Sequence, residues 1–394
     1  MIVESGSGAG VTLNQWSGVF ADLYGRIVRR FARTEVRERV RTYLTGLLGR
    51  VERKNGWQLA EAIGETDPQG VQRLLNAARW DAEGVRDDLR EFVAVHLGDE
   101  ASGVLIVDET GFLKKGAKSC GVARQYTGTA GETVNAQVGV FLAYSSTKGV
   151  AFIDRALYLP REWTKDQRRR TEAGIPKMVR FATKIVLAQR MLARAFDADT
   201  PAQWVVADSG YGRSHGFRRW LEKCGRAYAV MIPKTNALQY RGRRERAEQL
   251  GERLTEDAWI TLSSGVGVQG ERVHDWACLP LSDRCPVGIQ RWLLVRRDLD
   301  DPSAHAYWLA YGPARTTIGE LVRVCDTRWG IEECFAQAKG EVGLDHYEVR
   351  KWEAWHRFIT LGLVTHALLV VMRAHARPDE TSNKKGALAT TSSR

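Results

Sequence analysis

The sequence predicts an α/β core preceded by an all-α N-terminal region, and three observations carry that expectation. Residues 13–98 repeat apolar side chains at three- and four-residue spacing, the signature of amphipathic helices. From Gly103 the pattern changes to short apolar strands alternating with helices, in the order β-β-β-α-β-α-β. Residues 235–312 then break this rhythm with strand-like pieces before one amphipathic and one apolar helix follow.

Each element follows from its local chemistry. In the N-terminal region the helical segments are FADLYGRIVRRF, VRERVRTYLTGLLGRV, GWQLAEAIG, GVQRLLNAARW and VRDDLREFVAVHL. The third and fourth are joined by ETDP, with Thr66 or Asp67 as N-cap and Pro68 near the first helical turn. That spacing fits a helix-turn-helix whose residues 69–79 enter a major groove, and it fits an ordinary helical hairpin better, since short helix pairs are common. In the next part, GVLIVDE reads as a short strand ending in Asp108, and TVNAQVGVFLAYSS and GVAFIDRALYLP read as two more strands. PKMVRFATKIVLAQRMLARAF (176–196) reads as one long helix starting at a proline. WVVAD is a strand ending in Asp208, SHGFRRWLEKCG a helix closed by Gly225, and AYAVMIP a strand. TIGELVRVCDTRWGIEECFAQAKGEVG reads as one long amphipathic helix, followed by the apolar FITLGLVTHALLVVM (358–372). That last segment is short for a membrane span and contains His366, so it reads as a buried core helix. The expected domains are therefore a helical unit at 13–98, the core at 99–234 and 313–376, and a β-rich insertion at 235–312. Residues 1–12 and 377–394 are polar and rich in Gly, Ser and Thr, as disordered ends are.

Composition narrows the partner. A formal charge of +11 and a pI near 9.4 favour a polyanion, nucleic acid above all. The six cysteines form no C-x-x-C pair and no regular framework, which suits a reduced intracellular protein with free thiols. MIVESGSGAG has neither the basic start nor the apolar run of a signal peptide.

The chemistry rests on carboxylates. An Asp at a strand end is more often turn chemistry than catalysis. Two such acids on neighbouring strands of one α/β sheet are more informative, because that edge is where these folds place sites. On the predicted helix, Arg328, Glu332 and Lys339 lie at i, i+4 and i+11, near one stripe. Ile331, Phe335, Ala338 and Val342 form the inward apolar stripe, and Glu333 is rotated about 100° away from Glu332. Taken alone, the Arg–Glu–Lys set also reads as a surface ion-pair ladder. Three convergent carboxylates would suit Mg²⁺ or Mn²⁺, and two ions about 4 Å apart would serve phosphodiester displacement. Arg328, Lys339, Lys114 and Lys115 are the candidate phosphate contacts.

Three stretches carry a resemblance: VDETGFLKKG (107–116), ADSGYG (207–212) and RWGIEECFAQAKGEVGLDHYEVR (328–350). The element order resembles the ribonuclease-H-like core of DDE transposases, with a β-rich insertion before the glutamate. The Arg328, Glu332 and Lys339 spacing is similar to the R-x3-E-x6-K part of the insertion-sequence 4 group motif, and the three stretches look closest to the insertion-sequence 701 family. The tyrosine of that motif would fall at position 325, where this chain has Cys325. The resemblance implies Asp108, Asp208 and Glu332 as a metal-binding catalytic triad using Mg²⁺ or Mn²⁺, with Arg328 and Lys339 on phosphate. It implies a transposase that binds the terminal inverted repeats of its element, acts as a dimer on DNA and works in the cytoplasm at the nucleoid. An aromatic of the insertion, Trp292, is weighed both as packing and as a platform for a displaced base. REWTKDQRRR (161–170) and YRGRRER (240–246) are loop-like basic runs that suit either a DNA backbone or plain solvation. Two rivals remain. A phosphatase of the haloacid dehalogenase type needs a second Asp two residues after the first, and Thr110 stands there. A domesticated transposase that binds DNA without cutting it would keep the same residues.

Overall fold

The computed structural model describes residues 13–376 apart from 268–269 and 282–284, so the expectations for both chain ends lie outside the described residues. Five helices open the chain: α1 (Leu13–Ile27), α2 (Thr34–Leu48), α3 (Gly56–Ala62), α4 (Gln69–Asn76) and α5 (Ala82–Leu97). Asn55 caps α3 by accepting from Trp57 N and Gln58 N, and Asp81 caps α5 in the same way. Asp67 accepts from Gln69 N at 2.8 Å, fixing the start of α4.

The chain then builds β1 (Val104–Leu113), β2 (Ala123–Thr127), β3 (Glu132–Ser146) and β4 (Gly149–Leu157), followed by short helices α6 (Arg161–Lys165) and α7 (Gln167–Glu172). Next come α8 (Lys184–Asp197), β5 (Trp204–Ala207), α9 (Ser209–Gly212), α10 (His215–Lys223) and β6 (Ala227–Ile232). A small hairpin, β7 (Ala237–Tyr240) with β8 (Arg243–Arg246), precedes α11 (Ala247–Gly251). Strands β9 (Ile260–Gly267), β10 (Gly270–Pro280), β11 (Ile289–Arg297) and β12 (His305–Pro313) lead to α12 (Ile318–Asp326), α13 (Trp329–Val342) and α14 (Trp352–Ala376).

One large mixed sheet organises the molecule. β3 pairs antiparallel with β1 and β4, whereas β1, β5 and β6 run parallel in that order. The strands of residues 260–313 continue the same sheet, because β12 pairs antiparallel with β6 and is followed by β11, β10 and β9. The β-rich segment is thus hydrogen-bonded into the core sheet rather than standing beside it.

Five local expectations are corrected. β1 does not end at Asp108 but runs on to Leu113, because β3 pairs along its whole length while β5 stops at Ala207. The helix expected from Pro176 begins at Lys184, where the Thr183 side chain caps it by accepting from Val186 N. Upstream, Arg170 holds the carbonyls of Pro176 and Val179 and keeps that segment irregular. The long helix expected at 317–343 is two helices, broken at Thr327–Arg328. REWTKDQRRR is α6 and α7 rather than a loop, and YRGRRER is the β7–β8 hairpin.

α14 is the keystone. Its best window is apolar enough to cross a membrane, with mean hydropathy 1.5, yet 78% of that window is buried inside the protein. It packs on β4 and on α5, α4, α1 and α2, so one helix joins the N-terminal helices to the sheet. Polar ties fix its rotation: Arg155 Nε on β4 donates to Thr360 Oγ1 at 2.8 Å, and Arg357 donates to the Leu75 carbonyl of α4. Burial pushes the His366 imidazole down to about 4, so it sits uncharged in this apolar setting.

Candidate active site

The parallel pairing of β1 with β5 sets the first two acids side by side. The register matches Val107 to Ala207, and Asp108 and Asp208 follow directly on each strand. Asp208 is also the N-cap of α9: its Oδ1 accepts from Gly210 N at 2.9 Å and Tyr211 N at 3.3 Å. The glycines of ADSGYG then have a reason. A Cβ on Gly212 would lie 1.9 Å from the Met231 carbonyl oxygen, so α9 can lie against β6 only with glycine there.

Burial and like charge make the pair electrostatically costly. The Asp108 carboxyl is pushed up to about 8, first by burial and then by the Asp208 charge. Asp208 is raised as well, by burial and by the charge of Glu109. The Arg328 guanidinium offsets part of this at both acids. Oxygen donors held at such an excess of negative charge suit a hard divalent cation, whose charge would favour the ionised form.

Arg328 opens α13, buried and lying 4.1 Å from the centre of the Trp329 ring. One guanidinium nitrogen, Nη1, donates to Glu332 Oε1 at 2.7 Å, while Nε is buried with no hydrogen-bond partner. Glu332 is therefore engaged by Arg328, with its side chain 46% exposed. Among the described residues, no three His, Cys, Asp or Glu side chains lie close enough together to form a metal site. Asp108 and Asp208 are brought together; Glu332 reaches them through Arg328. The inward stripe of Ile331, Phe335, Ala338 and Val342 is buried as expected, and Glu333 turns away to Arg272.

The lysines divide. Lys339 Nζ donates to Thr110 Oγ1 at 2.9 Å, tying α13 to β1 two residues beyond Asp108. Lys114 turns inward: its Nζ donates to the Tyr347 carbonyl at 3.1 Å and sits 3.6 Å from that ring, and burial pushes its pKa down to about 8. Lys115 is exposed. Cys325 is buried, and burial drives its thiol well above the ordinary range, so it stays protonated and offers no phosphate contact. Trp292 is 6% exposed and belongs to the core.

The site also contains Glu109, which the sequence analysis did not single out. It accepts from Lys184 Nζ at 2.7 Å and from the buried Tyr211 hydroxyl. Glu109 thereby ties the turn carrying Asp208 back to the strand carrying Asp108. The signal available in the sequence was only its adjacency to Asp108.

A mixed sheet that sets Asp108 within β1 beside Asp208 just past the parallel β5, faced by an Arg–Glu helix, is an α/β arrangement consistent with a nuclease. The comparisons with known proteins name the family. The DDE superfamily endonuclease family matches residues 26–257 and the transposase DDE domain matches residues 183–368, and the chain belongs to the DDE superfamily endonucleases. It is 31% identical over 189 residues to a probable transposase for insertion sequence element IS701 from Microchaete diplosiphon. That match spans 48% of this chain and 46% of the relative, about half the length of each. Domains of this family depend on divalent metal in general.

Proposed function

We propose that this protein is a DNA transposase with a ribonuclease-H-like core, acting on the terminal inverted repeats of its own element. The observation that carries the reading is the pair of Asp108, inside β1, and Asp208, just past β5, which parallel pairing sets side by side, both raised, with Arg328 acting on both and salt-bridged to Glu332. Asp108, Asp208 and Glu332 would hold Mg²⁺ or Mn²⁺, with two ions as the working number. When bound, the metal supplies an activated water or 3′-hydroxyl and stabilises the leaving oxygen.

The chain's own groups do the rest. Asp208 is fixed by its own capping bonds, and Glu109 with Tyr211 holds its turn against β1. Glu332 must leave Arg328 to join the pair, which frees a guanidinium whose Nε already lacks a partner. Arg328 is then positioned to take a phosphate oxygen, as bidentate arginine geometry favours. Lys339 sits beside Thr110 as a second cation at this edge. Lys115 is exposed and able to contact DNA, whereas Lys114 would first have to leave Tyr347. Two element ends held together call for a dimer on DNA, and the basic charge suits a cytoplasmic protein working at the nucleoid. On this reading residues 13–98 are a DNA-binding helical unit, residues 99–234 with 313–376 the core, and residues 235–312 its insertion.

The test is cleavage of a labelled duplex carrying the element's own end with Mg²⁺ or Mn²⁺. We expect metal-dependent nicking by wild type, lost in Asp208→Ala and Glu332→Ala while DNA binding is retained. Binding without nicking by wild type, in both metals and across a range of salt, would replace this reading with a DNA-binding protein that no longer cuts.

A further inference from the structure

The segment between α13 and α14, residues 343–351, is a strap lying over the junction of the N-terminal helices and the sheet. It is fastened on both sides. Lys54 N donates to His346 Nδ1 at 3.1 Å from the helical side. From the sheet side, Cys120 N donates to the Arg350 carbonyl at 2.8 Å, and Trp352 N, just past the strap, donates to the Ala173 carbonyl at 2.9 Å. The buried Tyr347 anchors its middle through Gln137 and Trp355.

Two clefts meet at this strap, and both are lined by Arg350 and Lys351. The first, about 430 Å³, lies against α3 and α4 and includes Trp57, Gln72 and Asn76. The second, about 680 Å³, lies against α7 and the loop after β1. It carries Lys118, Arg168 and Arg169 with Arg350 and Lys351, five cations against the two acids Asp166 and Glu172. Lys118 and Arg168 share Glu172, whereas Arg350 and Lys351 are exposed and enter no ion pair among the described residues.

α4 completes the pattern. It buries Val71, Leu74 and Leu75 and turns Gln69, Gln72, Arg73 and Asn76 to solvent. Gln and Asn amides match the donor–acceptor pair of an adenine edge in the major groove, which is wide enough for one helix. Trp57, 64% exposed, stands at the rim of the same cleft.

We infer that the strap and its two clefts form one continuous duplex-DNA interface, with α4 reading base edges and Arg350 and Lys351 holding the backbone. The occupant is double-stranded DNA, because five cations against two acids line the second cleft and the amides of Gln72 and Asn76 line the first, with Arg350 and Lys351 shared by both. The inference rests on the transposase reading for the identity of that DNA.

The experiment measures binding of the full chain by fluorescence anisotropy in EDTA, so that it is independent of cleavage. The probes are a duplex carrying the element's own end and a scrambled duplex, each over a range of salt. Arg350→Ala/Lys351→Ala is expected to weaken both duplexes by the same factor and to flatten the log–log salt slope by about 1.8, roughly 0.9 per lost phosphate contact. Gln72→Ala is expected to weaken only the element end, by about 5- to 100-fold, with the slope unchanged. Arg315→Ala, an exposed arginine outside both clefts, is the control and should change nothing. Circular dichroism confirms that each variant is folded, and Lys351→Gln provides a milder replacement at the strap. An unchanged salt slope in the double variant, or equal weakening of both duplexes by Gln72→Ala, overturns the inference. Failure of the cleavage assay with these binding effects intact overturns the transposase reading and leaves the interface standing.

Discussion

Asp108 holds a proton at neutral pH that an unfolded chain would release, and this has a thermodynamic consequence. Its pKa in the fold is about 8 against an ordinary 3.8. The folded state therefore binds the extra proton between those values, and stability falls as pH rises through that window. Asp108→Asn removes the penalty, so in EDTA it should be more stable than wild type at pH 8.5 by up to about 5 kcal/mol, at roughly 1.4 kcal/mol per unit of the pKa difference, with little gain at pH 4. Urea unfolding at the two pH values measures this, and a variant no more stable at pH 8.5 would mean that Arg328 already compensates the charge. The two aspartates were legible because a carboxylate closing an apolar run is a local pattern. Glu109 was not, since its partner Tyr211 lies 102 residues away and strand alternation alone turns it from Asp108. Arg328 was legible as a partner of Glu332 from the four-residue spacing, but its burial over Trp329 depends on a helix start that the apolar period does not mark.

The same contrast holds for elements. The N-terminal helices could be read individually because their apolar faces repeat with the helical period and their caps are local. The break between α12 and α13 could not, because the apolar spacing continues across it. The strands of residues 260–313 were recognisable as strands, yet their joining of the core sheet through β12 and β6 is a long-range pairing that composition does not encode. α9 has little tolerance. Gly212→Ala puts a methyl group into the Met231 carbonyl and should cost about 1–3 kcal/mol by overpacking. Because α9 carries Asp208 as its cap, the variant should also lose metal-dependent nicking out of proportion to its loss of stability. Parallel melting and nicking assays separate the two, and full nicking by a folded Gly212→Ala would show that the turn adapts.

On the scale of the whole molecule, α14 couples everything. It is in contact with β4 and with four of the N-terminal helices, and Arg155 reaches from β4 to both Thr360 on α14 and Glu83 on α5. Unfolding of the whole chain should therefore be one transition when followed by tryptophan fluorescence and by circular dichroism. Two separated transitions would mean that the N-terminal helices have a core of their own. A fragment of residues 13–98 should remain largely unfolded, since the partner of its apolar faces is more than 250 residues further along the chain.

That arrangement bears on what a damaged copy of the gene can make. A stop codon anywhere before Trp352 removes α14 and leaves the apolar faces of α5, α4 and β4 without cover. The shortened product would aggregate or be degraded instead of persisting as a separate set of helices. No truncated competitor would then accumulate to occupy DNA and block the intact protein. Loss of the last helix would act as a simple recessive defect.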